Sequence, residues 1–175
     1  VPDSRKAQVR ADIKDLEAKI RKAKSDLASV RDKTVTVRTH YVVSGDTENG
    51  VEFNDSDNTI FNGGTILGRS HGIFISGNSD GVNTIVNTGF ISATNTDAIR
   101  ATSAVNLTNS GTIDSTFGDG VDAQAGDRGS TIVNNGFIFG RDENALDLSI
   151  SETSGDTVIN NGFLQGGAGA VNLNG

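Results

Sequence analysis

The sequence predicts a mainly β fold: a right-handed parallel β-helix of about six turns over residues 34–175, preceded by one long α-helix over residues 1–33. Three observations predict it. The composition changes abruptly after Lys33, the apolar residues before that point recur at helical spacing, and after it one short phrase returns at a nearly constant interval.

The first segment holds most of the lysines and arginines and no glycine. Its apolar positions Val9, Ile13, Leu16, Ile20, Ala23, Leu27 and Val30 step by 4, 3, 4, 3, 4, 3. Such steps average 3.5 residues and lay one narrow stripe along a helix, the pattern of a coiled-coil seam. About three heptads are covered, enough for a helix of roughly 45 Å at 1.5 Å per residue. Charges flank the stripe at Lys14, Asp15, Glu17, Lys19, Arg21 and Lys22, as suits a solvated coiled-coil exterior. The expectation is self-association into a dimer or trimer; the alternative is that the stripe packs on the chain's own body.

Beyond Lys33 the chain is rich in glycine, asparagine, threonine and aspartate, and it repeats itself. One phrase occurs as IFNGGTI from Ile60, IVNTGFI from Ile85, LTNSGTI from Leu107, IVNNGFI from Ile132 and VINNGFL from Val158. Its asparagines Asn62, Asn87, Asn109, Asn134 and Asn160 are 25, 22, 25 and 26 residues apart. A second phrase interleaves with it: GVEF from Gly50, GIFI from Gly72, AIRA from Ala98, GVDA from Gly120, ALDL from Ala145 and AVNL from Ala170. A weaker opening turn, TVTVRTHYVV from Thr34, precedes them. Three short strands per period of this length make one turn of a parallel β-helix. Inward asparagines at equivalent corners can donate to and accept from one another, which satisfies amides that would be costly to bury alone. The glycine after each supplies either a positive φ or a close approach of backbones. Val51, Ile60, Ile66 and their counterparts then fill the bore, and alternate residues face out.

Composition narrows the function. A formal charge of −7, from 15 basic and 22 acidic residues, has the wrong sign for nucleic acid or anionic lipid. No apolar run reaches the ~18 residues that would span a bilayer. Zero cysteines exclude disulfides and thiolate metal sites, and the absence of any methionine leads us to expect that Val1 lies inside a longer precursor.

The repeats, IVNNGFI and GDGV among them, resemble the passenger domains of bacterial autotransporters and, more loosely, the pectin-lyase-like superfamily. The resemblance covers about 140 residues, from Thr34 onward. It implies secretion across two membranes through a C-terminal barrel, then display on the outer-membrane surface as a stalk or adhesin. The heptad helix and the lack of a barrel in this chain depart from that pattern.

Titratable groups converge in one place. The outward residues of the second phrase form the row Glu52, Phe74, Arg100, Asp122, Asp147 and Asn172, with His71, Asp97, Asp119 and Asn144 beside it. The binding candidates are therefore His71, Asp97, Arg100, Asp119, Asp122 and Asp147. NTDAI from Asn95, GDGV from Gly118 and SHGI from Ser70 are similar to motifs of polygalacturonase-type glycosidases, which would make Asp97 and Asp119 acid and base and His71 a helper. In that family the histidine motif follows the aspartates, whereas here it precedes them. The expectation is accordingly no enzyme and no catalytic residue, but an acidic ladder in which Arg100 pairs with Asp122 across adjacent strands. No cofactor and no metal are expected, since the acidic turns NDSDN, GNSDG and SGDT lack the spacing of a calcium loop. A threonine column (Thr59, Thr84, Thr131, Thr157) would suit ice binding but is broken by Asn106.

Other outward columns are apolar: Phe61, Val86, Val133 and Ile159, interrupted by Thr108, and then Phe90, Phe137, Phe139 and Phe163. Exposed apolar area on that scale marks an interface, covered here by the N-terminal helix or a neighbouring subunit. The functional expectation is a secreted, cell-surface structural or adhesive module that self-associates and meets a host or cell-surface polysaccharide or protein, with no nucleic acid among its partners. The alternatives are a phage-fibre-like trimer binding polysaccharide and a polysaccharide-cleaving glycosidase or lyase.

Overall fold

The structure, a computed structural model, describes residues 16–17, 19–22, 34–37, 42–43, 48–77, 81–124, 128–148 and 155–173. The chain divides into two units, residues 1–33 and 34–175. In the first, the backbone is helical at residues 16–17 and 19–22, with Leu16 and Ile20 exposed. The long helix is thus seen only in those six residues; Val9, Ile13, Ala23, Leu27 and Val30 lie outside the described residues.

The second unit is a parallel β-solenoid. Its first turn is β1 (Thr34–Val37), β2 (Val42–Val43) and β3 (Asn49–Phe53); its second is β4 (Thr59–Asn62), β5 (Thr65–Gly68) and β6 (His71–Ile75). The third is β7 (Val82–Asn87), β8 (Phe90–Ala93) and β9 (Ile99–Ala101), and the fourth β10 (Ala104–Asn109), β11 (Thr112–Ser115) and β12 (Val121–Ala123). The fifth and sixth are β13 (Thr131–Asn134), β14 (Phe137–Gly140), β15 (Asn144–Asp147), then β16 (Thr157–Asn160), β17 (Phe163–Gly166), β18 (Gly169–Asn172). Each strand pairs in parallel with the strand three later, which makes three sheets: β1 to β16, β2 to β17 and β3 to β18. Every sheet counts six strands, yet the core is sealed over about four turns rather than the six expected. The inward residues of β4 to β15 are fully buried, whereas in the sixth turn Val158 and Leu164 are only partly covered by the described residues.

Alternation sets which letters face inward. Register stacks Ile60, Ile85, Leu107 and Ile132 in the first sheet, Ile66, Ile91, Ile113 and Ile138 in the second, and Ile73, Ile99, Val121 and Leu146 in the third. All twelve are buried. Ten of the twelve largest fully buried side chains are isoleucines, whose branched Cβ suits a pleated surface. Burying each stabilises by about 1.5–3 kcal/mol before entropy is counted.

Asparagine closes the corner between the first and second sheets. Asn62 donates from Nδ2 to Asn87 Oδ1 at 2.8 Å, Asn87 to Asn109 at 2.8 Å, Asn109 to Asn134 at 2.8 Å and Asn134 to Asn160 at 2.9 Å. Each Oδ1 also accepts the N–H of the glycine two residues on, as Gly111 does to Asn109 at 3.2 Å. Among the described residues no glycine has a positive φ. The corner needs glycine for a different reason: a Cβ on Gly89, Gly111, Gly136 or Gly162 would strike the carbonyl oxygen of the glycine one turn earlier. A second buried polar ladder, which the sequence reading missed, runs from Asn58 to Asn83 (3.0 Å) to Ser103 (2.8 Å), and Ser130 Oγ accepts the Val105 N–H at 3.1 Å. Its signal was the residue just outside the repeated phrase, in NTI at Asn58 and Asn83 and STI at Ser130. Among the described residues no buried side-chain nitrogen or oxygen lacks a partner.

Truncating one rung tests the ladder. Asn109→Ala removes the buried bonds from the Asn87 amide, to the Asn134 carbonyl oxygen and from the Gly111 N–H, and each lost bond between buried groups costs about 0.5–1.5 kcal/mol. Chemical denaturation should show a loss of about 3 kcal/mol, while Asn161→Ala, on an exposed side chain, should change stability by under about 0.5 kcal/mol. Equal, small losses from both would remove the ladder as a stabilising element.

Candidate functional site

The third sheet gathers the charged candidates. Register places Glu52, Phe74, Arg100, Asp122, Asp147 and Asn172 in one outward row. Asp97 and Asp119 sit in the short turns that enter β9 and β12, and His71 opens β6. Five of the six binding candidates are thereby brought together: His71, Asp97, Arg100, Asp119 and Asp122. One carboxylate oxygen of each of Asp97, Asp119 and Asp122 lies within 4.8 Å of the others. Asp147 is next to Asp122 in the row and accepts from Asn172 Nδ2 at 3.3 Å.

Although this row points outward, its middle is covered where Arg100 and Gln124 meet Asp122. Asp122 is only 5% exposed. Arg100 bridges the group, its Nη1 donating to Asp97 Oδ2 at 3.1 Å and to Asp122 Oδ2. Gln124 adds a bond to Asp122 at 3.2 Å. The two turn aspartates clamp successive turns: Asp97 Oδ1 accepts the Asp119 N–H at 3.0 Å, and Asp119 Oδ1 accepts the Asn144 N–H at 2.7 Å. His71 stacks on Phe74 with centroids 4.8 Å apart, its Nε2 lies 3.8 Å from Asp97, and its Nδ1 lies 2.9 Å from Asn49 Oδ1.

Three carboxylates this close repel, and burial adds to the effect. Burial, with Asp97, Asp119 and Asp147 nearby, pushes Asp122 up to about 7 against the opposing pull of Arg100. Asp119 is pushed up to about 6, again chiefly by burial, with the Asn144 N–H opposing. Burial pushes His71 down, partly offset by Asp97. Chemically the group can take up a proton near neutrality. Its oxygens are of the kind a hard cation binds, but the Arg100 guanidinium occupies the position between Asp97 and Asp122 that such a cation would need.

The apolar candidates lie on the other two sheets. Phe61 and Ile159 are exposed on the first, with Val86 and Val133 half-buried between them and Thr108 interrupting. On the second, Phe90, Phe137 and Phe163 share a column with Thr65 and Thr112, while Phe139 stands in the next column beside Asp114. Phe137, 52% exposed, and Phe163, 47% exposed, meet Phe139 with ring centroids 5.8 to 6.3 Å apart. Arg141, which the sequence reading passed over, extends this cluster: its Cζ lies 5.4 Å above the Phe139 ring while its Nε and Nη2 hold Asp114 at 2.8 and 2.9 Å. Register could have found it, because Asp114 pairs with Phe139 and Arg141 follows two residues later on the same face.

The acidic group should leave a signature in stability against pH. A carboxyl whose pKa is raised in the folded state binds its proton more tightly there than when unfolded. Its stabilising contribution is full below the unfolded value near 4 and is lost as pH rises through 6 to 7 for Asp119 and Asp122. His71, lowered on folding, works in the opposite direction as pH rises towards 6.5, but it is a single group against two. The melting temperature should therefore fall between pH 5 and pH 8, and Asp122→Asn should remove much of that fall; an identical slope in wild type and variant would contradict the assignment. Compared with known protein families, with curated proteins and with solved structures, the chain gives no significant match.

Proposed function

We propose that this chain is a secreted, surface-displayed structural or adhesive module of the autotransporter-passenger kind, which associates with further copies of itself through its phenylalanine face. The scaffold is a repeat-protein module built on a parallel β-solenoid. The observation that carries the self-association is the cluster of Phe137, Phe139 and Phe163, held on the second sheet with two of its rings about half exposed. Ile159, exposed on the adjoining sheet in the same turn as Phe163, adds a further apolar side chain nearby. Patches of this sort are rare on monomers and frequent at interfaces, where aromatic residues and arginine carry most of the binding. Arg141 beside the rings, already fixed by Asp114, supplies the polar edge of such a contact.

A polysaccharide-cleaving enzyme is the second reading, favoured by the raised pKa values of Asp119 and Asp122. Retaining glycosidases set their carboxyls roughly 5 Å apart and inverting ones farther. Here Arg100 and the Asp119 N–H engage Asp97, Arg100 and Gln124 engage Asp122, and the Asn144 N–H engages Asp119. The turns entering β9 and β12 are five residues each, too short to wall a cleft. These commitments suit a brace between turns better than an acid and base.

Light scattering on the full chain should give a mass above the 18.2 kDa monomer, and Phe137→Ser with Phe163→Ser should lower that mass while leaving the melting temperature nearly unchanged. Equal masses for wild type and variant would overturn the interface. Release of reducing ends from acidic or neutral polysaccharides, abolished by Asp119→Asn with Asp122→Asn, would favour the enzyme instead.

A further inference from the structure

The corner between the first and second sheets carries a chemical hazard that a change of glycine cannot remove. The corner glycines Gly64, Gly89, Gly111, Gly136 and Gly162 follow Gly63, Thr88, Ser110, Asn135 and Asn161. At Gly136 a Cβ would strike the Gly111 carbonyl oxygen, so the fifth turn must keep the dipeptide Asn135–Gly136. Asparagine is thermolabile, and a glycine after it leaves its side-chain amide least hindered, because glycine has no Cβ. In the reaction that follows, the Gly136 nitrogen loses its proton and bonds to Asn135 Cγ, the Cγ–Nδ2 bond breaks and ammonia leaves. Water then opens the cyclic imide at either carbonyl, which gives aspartate or isoaspartate. The Asn135 side chain is exposed, so burial does not keep water from it.

We propose that Asn135 is a latent deamidation site and that the asparagine ladder guards it. The Gly136 N–H donates to Asn134 Oδ1 at 3.2 Å in a buried bond of the ladder. Attack on Asn135 Cγ forfeits that bond, because it takes the proton and turns the nitrogen towards another partner. The neighbouring amides resist the same movement: the Asn135 N–H donates to Asn109 O at 2.7 Å and the Phe137 N–H to Gly111 O at 2.9 Å. Asn135 Oδ1 accepts from Asn161 Nδ2 at 3.0 Å, which fixes the side chain as well. The dipeptide Asn62–Gly63 is guarded from the other side, since Asn62 is itself a buried member of the ladder, with Nδ2 on Asn87 and Oδ1 on the Gly64 N–H. Where the guard fails at Asn135, a carboxylate appears two residues before Phe137. As isoaspartate it also lengthens the backbone by a methylene, at a corner where turns are held in register. This role of the ladder is independent of association through the phenylalanine face.

The test is peptide mapping by mass spectrometry on the full chain, held at mildly alkaline pH either folded or in denaturant, scoring conversion of the Asn135 amide to an acid. Folded wild type should convert far more slowly than the denatured chain. Asn134→Ala removes the acceptor of the Gly136 N–H and should speed conversion in the fold about tenfold, the factor that one lost hydrogen bond of this kind gives. Asn109→Ala breaks the ladder one turn earlier but leaves Asn134 Oδ1 on the Gly136 N–H, so Asn135 should stay near its wild-type rate. Ser110→Asn, on an exposed side chain, gives a reading that deletes no rung, because the Gly111 N–H still donates to Asn109 Oδ1 at 3.2 Å. The new asparagine should keep its amide in the fold and lose it in denaturant. Equal rates in folded and denatured wild type, equal acceleration by Asn134→Ala and Asn109→Ala, or conversion of the introduced asparagine in the fold as fast as in denaturant would overturn the proposal.

Discussion

Everything in the second unit depends on the vertical register between turns. Parallel pairing fixes each strand over the one three before it, and a slip of one residue would turn the whole inward set outward. Two devices hold that register besides the ladder of backbone bonds. The asparagine ladder permits one alignment only, because each Nδ2 must meet the Oδ1 of the next turn at about 2.8 Å and each Oδ1 must also reach the glycine two residues on. The glycine column forbids alternatives sterically, since any side chain placed over that corner would meet a carbonyl oxygen. Hydrophobic burial supplies most of the stabilisation, but it does not discriminate between neighbouring registers of branched residues as these polar and steric contacts do.

The same register that orders the core concentrates charge on the surface. Equivalent positions stand one above another, so a favoured residue type at one position becomes a column. On the third sheet this brings Asp97, Asp119 and Asp122 together, and the chain answers with Arg100 in the row and with backbone N–H groups donated from the following turn. The aspartates at turn entrances elsewhere do the same work: Asp57 accepts the Val82 N–H at 3.1 Å and Asp156 the Ser130 N–H at 2.6 Å. Across the solenoid, then, aspartate before a strand is a device for tying one turn to its neighbour, and at Asp119, where the columns crowd, the burial this entails pushes the carboxyl up to about 6.

Much of this was legible because the period is short and each turn repeats the same chemistry. Ile-x-Asn-x-Gly recurs with little noise, so the inward columns and the asparagine row could be read directly from the letters. Three things could not. The number of sealed turns depends on what covers the last inward residues, and Val158 and Leu164 are branched apolar residues like their buried counterparts. The Asn58–Asn83–Ser103 ladder mixes asparagine with serine and falls outside the repeated phrase, so it has no single-letter signature. The burial of Asp122 is invisible to alternation, which predicts correctly that it points outward yet says nothing of the Arg100 and Gln124 side chains lying over it.

A solenoid separates scaffold from surface more cleanly than a globular core does. Inward letters are constrained turn by turn, so variation is confined to outward positions, and there the constraint is only that vertical neighbours tolerate each other. That is why one sheet can carry an acid–arginine row while another carries phenylalanines, with no change of fold between them. A side column is satisfied whether or not it meets a partner, because its rings pack on one another, as Phe137, Phe139 and Phe163 do. The sides of this molecule are therefore where specificity towards a partner can vary.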